Sequence, residues 1–164
     1  MIVAASLLAA LLVVLAVMYA FAPRHSGASS GPGAASTLSR SATRYLAIAT
    51  AANHRLEIAN DGYKKDELSN LAAAKADLRS EVATETSFDE QLAQIPFPLS
   101  IASIVRALIL ANEQRGTLTA RQARSTSLAQ LRSFDRRHRA KDGAVEVQVR
   151  LLRKTLHLPP PATS

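Results

Sequence analysis

With 164 residues and 48% of them hydrophobic, the chain is long enough to bury one domain core. The absence of cysteine excludes disulfides, thiolate metal sites and cysteine nucleophiles, while an aromatic content of 4% without Trp, in an Ala- and Leu-rich chain, favours helices over strands. The formal net charge of +7 is divided unevenly: residues 1–99 carry 8 Lys/Arg against 9 Asp/Glu and residues 100–164 carry 12 against 4, so the excess belongs to the second part and invites an anionic partner.

Residues 1–22, MIVAASLLAALLVVLAVMYAFA, contain no charged side chain and only Ser6 and Tyr19 as polar interruptions. About 20 apolar residues suffice for a helix to cross a bilayer core, so this run predicts a transmembrane anchor with a single span. Ala20-Phe21-Ala22 has the small-x-small pattern of a signal-peptidase site, but Pro23 follows it and no basic residue precedes the apolar run, which favours retention over cleavage. The stretch over residues 23–36, rich in Gly, Ser and Ala, predicts a flexible tether of the kind that hangs an exported domain on a membrane. Arg24 and Arg40 point the other way, because the positive-inside rule would keep them in the cytoplasm. The expectation is an extracytoplasmic domain, with a cytoplasmic one as the alternative.

From residue 37 the pattern is that of an all-α, antiparallel bundle of about four helices, over 37–60, 66–95, 98–140 and 143–157, filling a domain of residues 37–158 ahead of a Pro-rich tail at 159–164. In the first helix, capped by Ser36 or Thr37, the residues Leu38, Ala42, Tyr45, Ala49, Ala52, Leu56, Ala59 and Tyr63 recur at alternating spacings of four and three, which puts them on one seam. Asn60-Asp61-Gly62 signals a turn. Asp66 is the expected cap of the second helix, whose buried stripe is Leu68, Leu71, Leu78, Val82, Phe88, Leu92 and Ile95. Asp77, Glu81, Glu85 and Asp89, four apart, form an acidic ridge on another face.

Ile95-Pro96-Phe97-Pro98 ends that helix, since Pro96 disfavours α geometry at Ile95 and neither proline has an N–H to donate. In a hairpin centred near Phe97, Asp89 would lie level with Arg106, and Asp77 to Glu81 near Arg115. Part of the basic excess would then neutralise the acidic ridge inside the bundle. The third helix has an apolar stripe running from Ile101 to Phe134 that turns polar at Asn112, Arg115, Gln122 and Ser125. These four would either line a pocket for a polar ligand or form a hydrogen-bonded layer that fixes helix register; a kink at Gly116-Thr117 is the third possibility. Arg132, Arg136 and Arg139 form a candidate anion-binding face, Asp142-Gly143 is the expected break, and Val145, Val149, Leu152 and Leu156 make the seam of the last helix.

Catalytic motifs do not occur: there is no Gly-rich phosphate loop, no Gly-x-Ser-x-Gly, no His-Glu-x-x-His and no Glu-x-x-His. His25, His54, His138 and His157 are scattered, and the arginines around the Asp135/His138 pair would repel a cation. No cofactor or metal is therefore expected. The sequence points to a non-catalytic interaction module of the bacterial cell envelope, with anionic lipid, an envelope polymer or a protein as partner. The alternative is a cytoplasm-facing domain that binds anionic lipid or nucleic acid through its basic part, although aromatics for stacking bases are not interleaved there.

Overall fold

A computed structural model describes residues 32–161, with side chains from residue 36. The predicted membrane anchor and most of the tether lie outside the described residues. Within them no helix is long and apolar enough to cross a membrane. The described residues form helices and no strand: α1 (Pro32–Asp66), α2 (Leu71–Ala93), α3 (Leu99–Gln122), the short α4 (Leu128–Arg132) and α5 (Asp135–Thr155). α1 packs on α2, α2 on α3 and α3 on α5.

Several boundaries differ from those the sequence predicts. α1 is already helical at Pro32, a residue tolerated in a first turn, so the expected tether ends earlier than residue 36. It also runs through Asn60-Asp61-Gly62. Gly62 serves close approach instead of a turn: a Cβ there would sit 2.7 Å from Oδ1 of Asp77 on α2. The α1–α2 turn is closed by the Asp66 carbonyl, which accepts from Ser69 and Asn70 N–H at 3.0 and 2.8 Å. Asn70, not Asp66, caps α2, its side chain accepting from Ala73 N–H at 3.1 Å. Leu68 therefore falls in the turn and is 65% exposed instead of buried.

The α2–α3 reversal falls at the predicted prolines. Ser41 of α1 clasps it, with its Oγ 2.9 Å from the Pro96 carbonyl. α3 does not continue to residue 140; it stops at Gln122. Ser127 caps α4 by accepting from Gln130 N–H at 3.2 Å, while Gln130 Oε1 accepts from Thr126 N–H at 2.8 Å, a Ser-x-x-Gln box that starts a new helix. Conversely, Asp142-Gly143 makes no break and lies inside α5. α5 ends in a Schellman turn with His157 at φ 55°, Leu158 N–H donating to Arg153 O at 2.8 Å and His157 N–H to Lys154 O at 3.1 Å.

All four long helices obey one rule. Their inward positions follow spacings of three and four: buried Ala74, Leu78, Glu81, Glu85, Leu92 and Ile95 with half-buried Leu71 and Phe88 on the α2 side; buried Ile101, Val105, Leu108, Asn112, Arg115, Thr119 and Gln122 on α3; buried His138, Val145, Leu152 and Leu156 with half-buried Asp142 and Val149 on the α5 side, while Thr84 and Arg153 are buried beside these seams. The α1 seam matches the predicted one from Ala42 to Tyr63, and Leu38 packs at its edge. Apolar side chains fill these seams in two places. The larger core gathers Tyr45, Leu92, Ile101, Leu108 and Leu152, with Tyr45 and Phe88 edge to face at 6.5 Å. The smaller one joins Tyr63, Ala74, Leu78, Ala123 and Leu131. Where the α2 and α3 seams pass between these cores, their residues are charged or polar.

Candidate functional site

The centre of that polar waist is Arg115. Its Nη2 lies 2.6 Å from Glu81 Oε1 and its Nε 2.7 Å from Asp142 Oδ1, while Nη1 pairs with Glu85. Glu81 and Glu85 stand one turn apart on α2, and Asp142 faces them from α5, so one guanidinium ties three helices together. Only arginine offers enough donors in a fixed plane for three carboxylates at once. Arg115, Glu81 and Glu85 are buried, and the Asp142 side chain is 12% exposed. Burial raises the pKa of Glu81; Arg115 opposes that rise and Asp142 adds to it.

Around this centre, Asn112 Nδ2 donates to Asp89 Oδ1 at 2.9 Å. Burial pushes the Asp89 carboxyl up to about 6, against the Asn112 hydrogen bond and with help from Glu113. His138 is 7% exposed and its Nε2 has no hydrogen-bond partner. Burial lowers its pKa to about 4, with Asp142 opposing and Arg115 reinforcing, so the imidazole is neutral at pH 7. Two turns beyond Arg115 on α3, Gln122 Nε2 lies 3.0 Å from both the Tyr63 hydroxyl and the Leu131 carbonyl. The Ser125 carbonyl accepts from Lys75 Nζ at 2.9 Å, and its own hydroxyl is buried without a partner.

Asn112, Arg115, Gln122 and Ser125 are thus all buried, but they do not converge on one pocket. Three of them make side-chain bonds to other elements that hold the bundle's alignment: Asn112 to α2, Arg115 to α2 and α5, Gln122 to α1 and α4. α3 runs unbroken through Gly116 and Thr117. Of the four, only Asn112 lines the groove of about 700 Å³ that opens between α2 and α3.

The hairpin alignment is close to expectation for Arg115 and different for Asp89, which meets Asn112 while Arg106 stays exposed. Side chains lean toward the N-terminus of their own helix, so in an antiparallel pair each covers the turn preceding its Cα. Asp89 leans away from the turn and Asn112 toward it, so they meet about one turn farther from Phe97 than the Arg106 level that counting Cα positions assigns to Asp89. Within the neutralisation the sequence suggests, Arg115 alone of the basic residues in α3–α5 pairs with the α2 carboxylates.

The remaining basic residues are mostly at the surface. Arg132 ends α4, and Arg136 and Arg139 follow on α5, so they flank a corner instead of sharing one helix face. All three are exposed and make no ion pair within 4.0 Å among the described residues. Asp135 sits among them: burial raises its carboxyl pKa, and Arg139 and Arg132 both pull it down. Arg137 lies 5.7 Å over the Phe134 ring. Residues 121–141 hold seven Lys/Arg and one acid.

Two waist members escape the sequence reading, His138 and Asp142. Carrying the Val145 seam back by three and then four residues reaches both. Among the described residues no group of three or more His, Asp or Glu is placed to hold a metal ion. Compared with protein-family models, curated proteins and solved structures, the chain matches none.

Proposed function

We propose that this protein is a membrane-tethered, non-catalytic interaction module of the cell envelope, and that it takes a polyanionic partner on the α4–α5 corner around Arg132, Arg136 and Arg139. The observation that carries this reading is the concentration of exposed, unpaired arginine there, seven basic residues to one acid over residues 121–141. At the waist, by contrast, the Arg115 guanidinium is buried and spent on Glu81, Glu85 and Asp142. Apolar residues 1–22 support the tether.

A basic residue near an anionic surface contributes about 1 kcal/mol, so reversing three charges should weaken binding by roughly 100-fold. The test is binding of a soluble polyanion, such as polyphosphate, to the full chain and to the triple variant Arg132→Glu, Arg136→Glu, Arg139→Glu, both held in mild detergent. Equal binding by both proteins would sink the reading. Arg24 and Arg40 favour a second reading, in which the same corner faces the cytoplasm and meets inner-leaflet lipid or nucleic acid. Replacing Ser30 by cysteine in this cysteine-free chain and labelling intact cells with an impermeant maleimide separates the two. Labelling before lysis supports the outward domain, and labelling only after lysis the inward one.

A further inference from the structure

The α2–α3 groove is the electrostatic opposite of the arginine corner. Four carboxylates line it, Glu85, Asp89, Glu90 and Glu113, above apolar surface from Val82 and Ile109, and no Lys or Arg borders it. Glu90 and Glu113 are exposed and make no ion pair among the described residues. Glu85 is buried at the groove wall; its Oε1 meets Arg115, while its buried Oε2 has no hydrogen-bond partner. A fitting occupant therefore brings cationic heads on flexible apolar stems, which describes arginine side chains.

The chain itself carries such a group. Arg136 and Arg139 form no ion pair with the Glu90 or Glu113 of their own bundle. We propose that the α2–α3 groove receives the Arg136/Arg139 corner of a second copy, so that the protein associates head to tail. The apolar run of residues 1–22 is a poor rival occupant, since it offers no charge to the carboxylates. Because the two surfaces are unlike, the contact is heterologous: one copy keeps a free corner and the other a free groove, and the product is a ring or a filament. A shared membrane would raise the effective concentration of tethered copies and favour the contact. The inference shares the arginine corner with the proposed function but rests on the groove. It adds that self-association and polyanion binding exclude each other.

The experiment is sedimentation velocity of the full chain in mild detergent, at low and high salt. The wild type is expected to associate at low salt and to dissociate at high salt. Glu90→Lys with Glu113→Lys, and separately Arg136→Glu with Arg139→Glu, should each raise the dissociation constant by roughly tenfold or more while leaving the helical circular dichroism unchanged. Mixing the two variants restores complementary faces, so the mixture should associate again. A wild type that stays monomeric at low salt, association that survives either reversal, or a mixture that fails to recover would each overturn the inference. Binding to a soluble polyanion separates the two readings: the groove variant, freed from self-association, should bind it at least as tightly as the wild type does, and the corner variant should bind it far more weakly.

Discussion

Toward the α2–α3 turn the facing seams carry Leu92 and Ile95 against Ile101, Val105 and Leu108; farther along the same helices, at the same spacing, they carry Glu81 and Glu85 against Asn112 and Arg115. The aliphatic end supplies the driving force for folding and would pack nearly as well with neighbouring residues exchanged. The waist supplies little net stability, because desolvating three carboxylates and a guanidinium costs about what their attraction returns. What it adds is discrimination. Sliding one helix past another by a turn leaves apolar contacts roughly as good but strands a buried charge, so the waist fixes alignment in the way a polar core residue does in a coiled coil.

The sharpest way to break this contrast is to remove one member from each region. Arg115→Met leaves Glu81, Glu85 and Asp142 buried without a counter-charge and should cost about 3–5 kcal/mol in urea denaturation. Replacing all four residues together, with Met for Arg115 and Leu for the acids, should restore most of that loss. Leu108→Ala, in the aliphatic core, should cost about 2–5 kcal/mol, and no compensating change of charge can rescue it. If the fourfold variant is as unstable as Arg115→Met alone, the waist is a net source of stability and the contrast fails.

Alternating spacing makes the four seams legible in the sequence, down to the individual residues of α1 from Ala42 to Tyr63. The occupancy of the waist is harder to see for a physical reason. Glu81 and Glu85 also fit a four-apart ridge with Asp77 and Asp89, and charged residues are rarely buried, so pattern alone places them outside. Their burial depends on Arg115, from another helix. Asn112, Arg115 and Gln122 show themselves because they interrupt an apolar stripe within a single helix. The α3–α4 break is encoded in Ser127-x-x-Gln130 but is masked by polar residues that continue the seam through Ser125. Asp142-Gly143 misleads in the opposite direction, since the cost of one glycine in a helix, about 1 kcal/mol, is smaller than what the Asp142–Arg115 pair and Val145 gain by keeping α5 intact. The α2–α3 groove depends on how two helices lie together and has no signature in either.

A second test uses pH, to which the aliphatic core's Leu, Ile and Val side chains are blind. His138 titrates at about 4 in the folded chain, against an ordinary 6.5. Between those values the unfolded chain takes up a proton that the folded chain refuses, so this group removes stability as pH falls from about 6.5 to about 4. Asp89 is the reverse, at about 6 folded against an ordinary 3.8, so its contribution is present in acid and is lost as pH rises through about 6. The two slopes oppose each other over one window. Compared with the wild type, Asp89→Asn should make stability fall more steeply on acidification, and His138→Gln should make it fall less or rise. Each change should amount to about 1–2 kcal/mol between pH 4 and 6, discounted for the partial exposure of Asp89. Denaturation midpoints measured across that range decide it, and parallel curves for all three proteins would remove titration from the waist's account.

Three smaller changes calibrate the scale through backbone conformation, two on α5 and one on α1. Gly143 has nothing within 4 Å of where a Cβ would stand, so Gly143→Ala should stabilise by about 1 kcal/mol through helix propensity alone. Gly62→Ala has the same intrinsic gain but must displace the Asp77 carboxylate from 2.7 Å, and should fall well short of it. His157 holds a left-handed turn that glycine adopts without the Cβ clash, so His157→Gly should add a few tenths to about 1 kcal/mol. These gains should add to the loss in Leu108→Ala within about 0.5 kcal/mol. In the Arg115→Met background the Gly143→Ala gain should shrink, because a waist without its arginine no longer holds Asp142 and the first turns of α5 in place. Thermal midpoints of the double variants measure this. Full additivity in both backgrounds would mean that the ion cluster does not hold α5 in its alignment, leaving that task to the aliphatic seam alone.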